Sequence, residues 1–190
     1  MNTTRRRPWP GLAFVLLLAL GAMFREPAPA AAQSTAAMSS SMREIAYGPD
    51  PAQRFDVYLP NMSLQAQPKG APTIFYVHGG GWRRGDKAMR GLIEAKHKRW
   101  TAAGAIVIST NYRMLPDTGP IEQAHDIARA VAKAQDTVAS LGGDPDGFVL
   151  MGHSAGAHLV ALLGADPRLL TEAGARPALG VVSLDSGALD

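Results

Sequence analysis

Gly152-His153-Ser154-Ala155-Gly156 is the stretch whose residue types and spacing could do chemistry. It has the pattern G-x-S-x-G. The short apolar run Phe148-Val149-Leu150-Met151 precedes it, and Ala157, Leu159, Val160, Ala161, Leu162 and Leu163 follow without a breaker until Gly164. A strand, a tight turn and a buried helix are therefore expected, the context in which this pattern forms a nucleophile elbow. A serine at such a turn sits on strained backbone, and the flanking Gly152 and Gly156 relieve the crowding. The helix beginning there aims its free N–H groups and positive dipole end at the reacting centre. Ser154 is the candidate nucleophile. The pentapeptide alone also arises by chance, so the flanking elements carry the argument.

Attack by a serine on an acyl carbon needs N–H donors for the oxyanion that develops. One is expected from the residue after the nucleophile, Ala155. Others are expected from a glycine-rich turn after an earlier strand, where His78-Gly79-Gly80-Gly81-Trp82 follows the β-branched and aromatic run Thr73–Val77. Glycines there present backbone N–H groups with no side chain in the way. Gly80 and Gly81 are the expected donors, with Gly79 and His78 supporting the loop. The rival readings of a glycine run are a flexible turn or a phosphate cradle. The downstream Lys-Ser/Thr of a P-loop and the spacing of a dinucleotide fingerprint are both missing here. Trp82 and Tyr112 either line the pocket or pack in the core. Arg83, Arg84, Lys87 and Arg90 form a basic cluster beside the loop, read as a solvated face, with attraction of an anionic substrate as the rival.

The elements that must position these residues follow from hydrophobic periodicity. Strands are expected over residues 43–47 and, from alternation of Phe55, Val57 and Leu59 with Arg54, Asp56 and Tyr58, over 53–59. Residues 73–77, 105–110 and 148–151 are short continuous apolar runs, as in strands buried on both faces, and 181–184 is a last strand. Helices are expected over 88–103 and over 121–141, the latter with Ile127, Ala130, Val131, Ala134 and Val138 on one stripe. Residues 142–146 read as a stop and turn. Alternation of strands and helices from Thr73 onward indicates an α/β fold, a mostly parallel sheet with helices on both faces and an antiparallel leading edge.

A chain of 190 residues suits one domain of ordinary size. It has no cysteine, which excludes disulfides, thiolate nucleophiles and Cys-based metal sites. The net charge of +3 is misleading about partners. Arg5, Arg6, Arg7, Arg25 and Glu26 account for it, and beyond residue 32 there are fifteen residues of each sign. No nucleic-acid partner is expected. Residues 1–32 read as an export signal: the arginine cluster, a mostly apolar stretch from Gly11 to Phe24, and Ala30-Ala31-Ala32 as a cleavage pattern. At 14 residues that stretch is short for a membrane span of ~20. A polar linker is expected over 33–42 and the folded domain over 43–190, exported, with no membrane contact after signal removal. No cofactor motif is present. No metal site is expected either: His153 and His158 are five apart, without an acid at ligand spacing.

With these motifs in hand, the chain resembles the α/β-hydrolase superfamily, in its carboxylesterase and lipase-like branch, including feruloyl-esterase-like and kynurenine-formamidase-like proteins. The likeness rests on His78-Gly79-Gly80-Gly81-Trp82 with Gly85-Asp86-Lys87, on Asn111-Tyr112-Arg113, on Gly142-Gly143-Asp144-Pro145, and on Gly152–Gly156 with Ala157-His158. It implies the α/β-hydrolase fold and a serine hydrolase that cleaves carboxylic esters through an acyl-enzyme on Ser154. The substrate would be a small or polysaccharide-linked ester. It also implies a catalytic acid and then a histidine later in the chain. After Ser154 the only histidine is His158 and the acids are Asp166, Glu172, Asp185 and Asp190. His158, four residues along the helix, would have to reach back to the serine, and Asp185 follows the last strand. His97 and His125 are expected to face solvent and His153 to pack beside the nucleophile. The expectation is therefore a fold incomplete at its C-terminus, with acid and base beyond residue 190. An amidase or peptidase of the same fold and a non-catalytic binding module are the rival functions.

Overall fold

The computed structural model describes residues 41–60 and 70–186; the expected export signal lies outside them. The elements run β1 (Ser41–Ala46), β2 (Arg54–Tyr58), β3 (Ala71–Val77), α1 (Arg90–Ala102), β4 (Ile106–Thr110), α2 (Pro120–Ser140), β5 (Gly143–His153), α3 (Ala155–Ala165), α4 (Arg168–Glu172) and β6 (Gly180–Leu184). They build one sheet in the order β1-β2-β4-β3-β5-β6. β1 and β2 are antiparallel to each other, and β2 is antiparallel to β4. The remaining neighbours are parallel. This is the α/β-hydrolase arrangement, with the half-buried alternating strands on the antiparallel side and the continuous apolar runs inside. No helix among the described residues is long and apolar enough to cross a membrane.

Alternation along the central strands divides their side chains between two cores. Phe75, Val77, Ile106, Ile108, Phe148 and Leu150 point to the face covered by α2, α3 and α4. Tyr58, Tyr76, Val107 and Met151 point the other way, to Ile93 and Trp100 of α1. The α2 stripe of Ile127, Ala130, Val131, Ala134 and Val138 is fully buried, as its spacing predicts.

Several boundaries differ from the sequence expectation. β1 starts at Ser41, two residues before the expected strand. The turn expected at residues 142–146 is largely strand: Gly143 already pairs with Ala71. A methyl group at Gly143 would lie 2.5 Å from a Val138 methyl and 2.7 Å from Ile106, so the glycine lets β5 pass close under α2. The five-residue α4 was not expected, being too short to show a helical period.

Buried polar groups tie the long loops to this frame. Asp126 on α2 is fully buried and accepts from the Arg113 guanidinium at 2.7 and 2.8 Å, the Arg113 N–H at 3.1 Å and the Gln53 amide at 2.9 Å. Arg129 pairs with it as well. Burial alone would raise the Asp126 carboxyl, but the hydrogen bonds from Arg113 and Gln53 and the Arg113 charge hold it below the usual carboxylate range. The loops before β2 and after β4 are thereby pinned to α2. Asp126→Ala should cost about 2–3 kcal/mol in urea unfolding at neutral pH, less than for a fully enclosed pair because both arginines are partly exposed. The folded value of this acid lies below the unfolded one. Its contribution is therefore fully present above an unfolded value of ~3.9, and the gap between wild type and Asp126→Ala should close as pH falls below that.

Candidate active site

The elbow is where the sequence places it. β5 ends at His153, Ser154 caps α3, and the helix begins at Ala155. Ser154 has φ 52° and ψ −119°, a left-handed conformation uncommon for any residue with a Cβ. Such strain costs on the order of 1–3 kcal/mol and persists only where the surroundings over-determine it. Here they do. The Ser154 N–H donates to the Leu184 carbonyl of β6 at 2.9 Å, and its own carbonyl accepts the His158 N–H at 3.1 Å. Its side chain makes no capping hydrogen bond to the helix it starts.

The two elbow glycines permit backbone to approach backbone. A methyl group at Gly152 would lie 2.2 Å from the Gly156 carbonyl oxygen. One at Gly156 would lie 2.4 Å from the Val77 oxygen and 2.5 Å from that of His78. The first turn of α3 therefore rests directly on the end of β3, where the glycine loop begins. Gly79 lies against the elbow: a methyl there would meet the His153 oxygen at 2.7 Å and Ser154 Cβ at 3.0 Å.

From Gly79 the loop turns through three successive left-handed residues, Gly80 (φ 126°), Gly81 (φ 61°) and Trp82 (φ 59°). The Gly80 carbonyl accepts the N–H groups of Arg83 and Arg84 at 3.3 and 3.2 Å. Among the described residues no carbonyl accepts the N–H of Gly80, Gly81 or Ala155. The structure thus brings Gly79, Gly152, Gly156 and Ser154 into one constellation, with three unengaged donors in the loop and at the helix start.

His78 is buried beneath the loop. Its Nδ1 lies 2.8 Å from the Gly79 carbonyl, which can only accept, so Nδ1 carries the proton. Burial lowers its pKa and keeps the ring neutral. The ring stacks on Tyr112 at 4.7 Å, and the Tyr112 hydroxyl donates to the His78 carbonyl at 3.0 Å. Tyr112 is fully buried, so of its two readings core packing holds. Gly85, with φ 122°, closes the same region: a methyl there would meet His78 Nδ1 at 2.3 Å.

Asn111, just after β4, ties that strand end to the loop before α1. Its amide donates to Asp86 at 3.0 Å and its oxygen accepts the Lys87 N–H at 2.6 Å. Lys87 corrects the sequence expectation of a solvated basic face. It is buried, and its ammonium pairs with Glu44 and, at 3.3 Å, with Asp56. Those partners sit more than thirty residues upstream in the chain and are acidic residues of β1 and β2. Arg83 and Arg84 are exposed as expected.

The remaining histidines fall into distinct places. The rings of His158 and Trp82 meet in a T, with centroids 5.5 Å apart at 87°, and the buried His158 Nδ1 has no partner among the described residues. His97 does not simply face solvent: it stacks on Tyr58 at 4.4 Å. His153 is half-buried beside Gly79. Asp185 follows β6 directly, exposed and left-handed with φ 55°. An apolar cavity of about 490 Å³ lined by Leu150, Leu163, Leu170, Pro177 and Val181 lies on the flank of α3, α4 and β6 and does not include the elbow.

Known proteins resemble this chain in sequence and in fold. Residues 55–172 match the BD-FAE family model. The chain is 35% identical over 133 residues to esterase LipC of Mycobacterium tuberculosis, covering 68% of this chain and 32% of that protein. It is 32% identical over 119 residues to isoprenylcysteine alpha-carbonyl methylesterase ICME of Arabidopsis thaliana, covering 63% of this chain and 26% of that one. Esterase B of Lactobacillus rhamnosis superposes with a TM-score of 0.61 at 28% identity, over 75% of this chain and 45% of its own. That esterase has also been crystallised inhibited by a tributyrin phosphonate. The chain spans about a third of the length, or less, of these two curated relatives.

The close backbone contacts make the elbow intolerant of a single methyl group. Gly156→Ala should lose about 2–3 kcal/mol in chemical denaturation, because rigid carbonyls block the new methyl. Gly81→Ala should lose about 1 kcal/mol, from its left-handed backbone alone, since nothing lies within 4 Å of the added carbon.

Proposed function

The chain belongs to the BD-FAE family and has the α/β-hydrolase fold, and from that premise we propose that it is the core of a serine esterase acting on carboxylic esters. Ser154 Oγ attacks the acyl carbon and the alcohol leaves, giving an acyl-enzyme that water then hydrolyses to the free acid. The N–H groups of Ala155, Gly80 and Gly81 hold the oxyanion of each tetrahedral intermediate. One observation carries this proposal. Ser154 is held in a strained conformation at a helix start, with its side chain uncommitted to the helix, while these three N–H groups have no carbonyl acceptor among the described residues. A binding module has no need of that strain.

The proposal takes the base and the acid from sequence beyond residue 190. His158 supports this indirectly, since its ring is committed to Trp82. An exported location follows from residues 1–32, and esters on polysaccharides or small aromatic esters are the substrates that location favours. Turnover of p-nitrophenyl acetate rather than an anilide separates the esterase from an amidase of the same fold.

A fluorophosphonate tests the nucleophile: serine Oγ bonds to phosphorus, fluoride leaves, and the base takes the proton. A chain extended past residue 190 should label, and its Ser154→Ala form should not. The 190-residue chain should label at least ~100-fold more slowly, lacking a general base. Failure of the extended form to label, or labelling that survives Ser154→Ala, would sink the proposal.

A further inference from the structure

The proposed oxyanion donors belong to a loop that should not hold its shape unaided. Gly80 and Gly81 tolerate left-handed backbone, but Trp82, at φ 59°, does not do so freely. Something must hold the loop at Trp82, immediately after the donors.

Three contacts converge there. The Trp82 carbonyl accepts the Leu115 N–H at 2.8 Å and the Gln123 side-chain amide at 3.0 Å. The Trp82 ring meets that of His158, from α3, in a T-shaped contact. Of these groups, Gln123 is the one that reaches the Trp82 carbonyl with a polar side chain. It is fully buried, on the first turn of α2, among alanines and Ile127 that pack the core. Its amide nitrogen has two hydrogens, and they go to two carbonyls, Trp82 and Thr118, the latter at 2.8 Å. Its own oxygen is buried with no partner among the described residues. An apolar side chain would fill this place in a helix stripe without that cost, so the donor pair is what the position supplies.

We infer that Gln123 is a positioning residue for the oxyanion loop: its amide holds the Trp82 carbonyl, and through it the left-handed turn that aims the Gly80 and Gly81 N–H groups. The inference rests on the proposed serine-esterase reading for its catalytic consequence and not for its structural one. Gln123 touches no reacting atom. It acts through the backbone of residues 80–82, on a helix whose rigidity comes from the core.

Amide hydrogen exchange in the 190-residue chain tests the structural half without any turnover. In Gln123→Met, the N–H groups of Arg83, Arg84 and Leu115 should exchange at least ~10-fold faster, since each is bonded into this loop. Those of Phe75 and Val131 should stay within about twofold, as core amides answer to global stability instead. Unchanged exchange at Arg83, Arg84 and Leu115 would overturn the inference. Should the variant fail to fold, the wild-type chain still decides. Its Gln123 side-chain amide protons should show nuclear Overhauser contacts to the Leu115 N–H, which donates to the same Trp82 carbonyl, and slowed exchange, and their absence overturns the clamp. In the chain extended past residue 190, Gln123→Met should lower kcat per fluorophosphonate-titrated serine by ~10–100-fold with KM within about threefold, because a misplaced donor is lost from the transition state. A wild-type kcat per titrated serine in that variant would also overturn it. Loss of the esterase reading has a different signature: no labelling that depends on Ser154, with the exchange pattern intact.

Discussion

The structure depends on one close contact, the seating of the first turn of α3 on the carbonyls that end β3. Gly156 approaches the Val77 and His78 oxygens so nearly that not even a methyl group fits. That seating places Ser154 next to Gly79, and it brings the start of a helix to the glycine loop leaving β3. The elbow serine after one strand and the glycine loop after its neighbour share a site because parallel β3 and β5 end level with each other, Val77 opposite Gly152. The site is therefore a property of the sheet register more than of any loop.

Around this contact the protein uses buried charge to hold segments that carry little apolar surface of their own. Asp126 gathers Arg113, Arg129 and Gln53. Lys87 is drawn inward by Glu44 and Asp56, and Arg43 completes that group by pairing with Asp56 at 2.8 Å and donating to the Tyr58 hydroxyl at 2.7 Å. Each cluster ties the antiparallel edge to an element beside the glycine loop or to α2. Ion pairs with one buried member add little net stability over apolar packing, but removing a partner leaves a buried charge uncompensated, so they act as registration devices. The neutral, proton-on-Nδ1 His78 does the same at closer range, fixing the Gly79 carbonyl from below.

The elbow, the glycine loop and the central strands were legible in the sequence because each is a local pattern. Glycines at fixed spacing report crowding, and a run such as Thr73–Val77 reports burial on both faces. The α2 stripe was legible for the same reason. What escaped was polar and long-range. Gln123 and Asp126 lie on the apolar stripe, yet by residue type they read as surface, and Gln53, which answers Asp126, is 73 positions away. Lys87 sits in a run of basic residues and looks solvated until β1 and β2 bring carboxylates to it. His97 looked exposed because nothing nearby in sequence announces Tyr58 as its stacking partner. Burial of a polar side chain is decided by whether a partner arrives, and periodicity cannot tell that.

The hydrogen bond from the Ser154 N–H to the Leu184 carbonyl has a consequence for how the protein is made. Its acceptor is added 30 residues after the serine. At a synthesis rate of ~5–20 residues per second, the serine waits about 2–6 s for the residue that helps lock its backbone. Until then the strained turn has lost one of its restraints and can relax toward an ordinary conformation. The strained backbone of Ser154 is thus completed only after the chain on both sides of it exists.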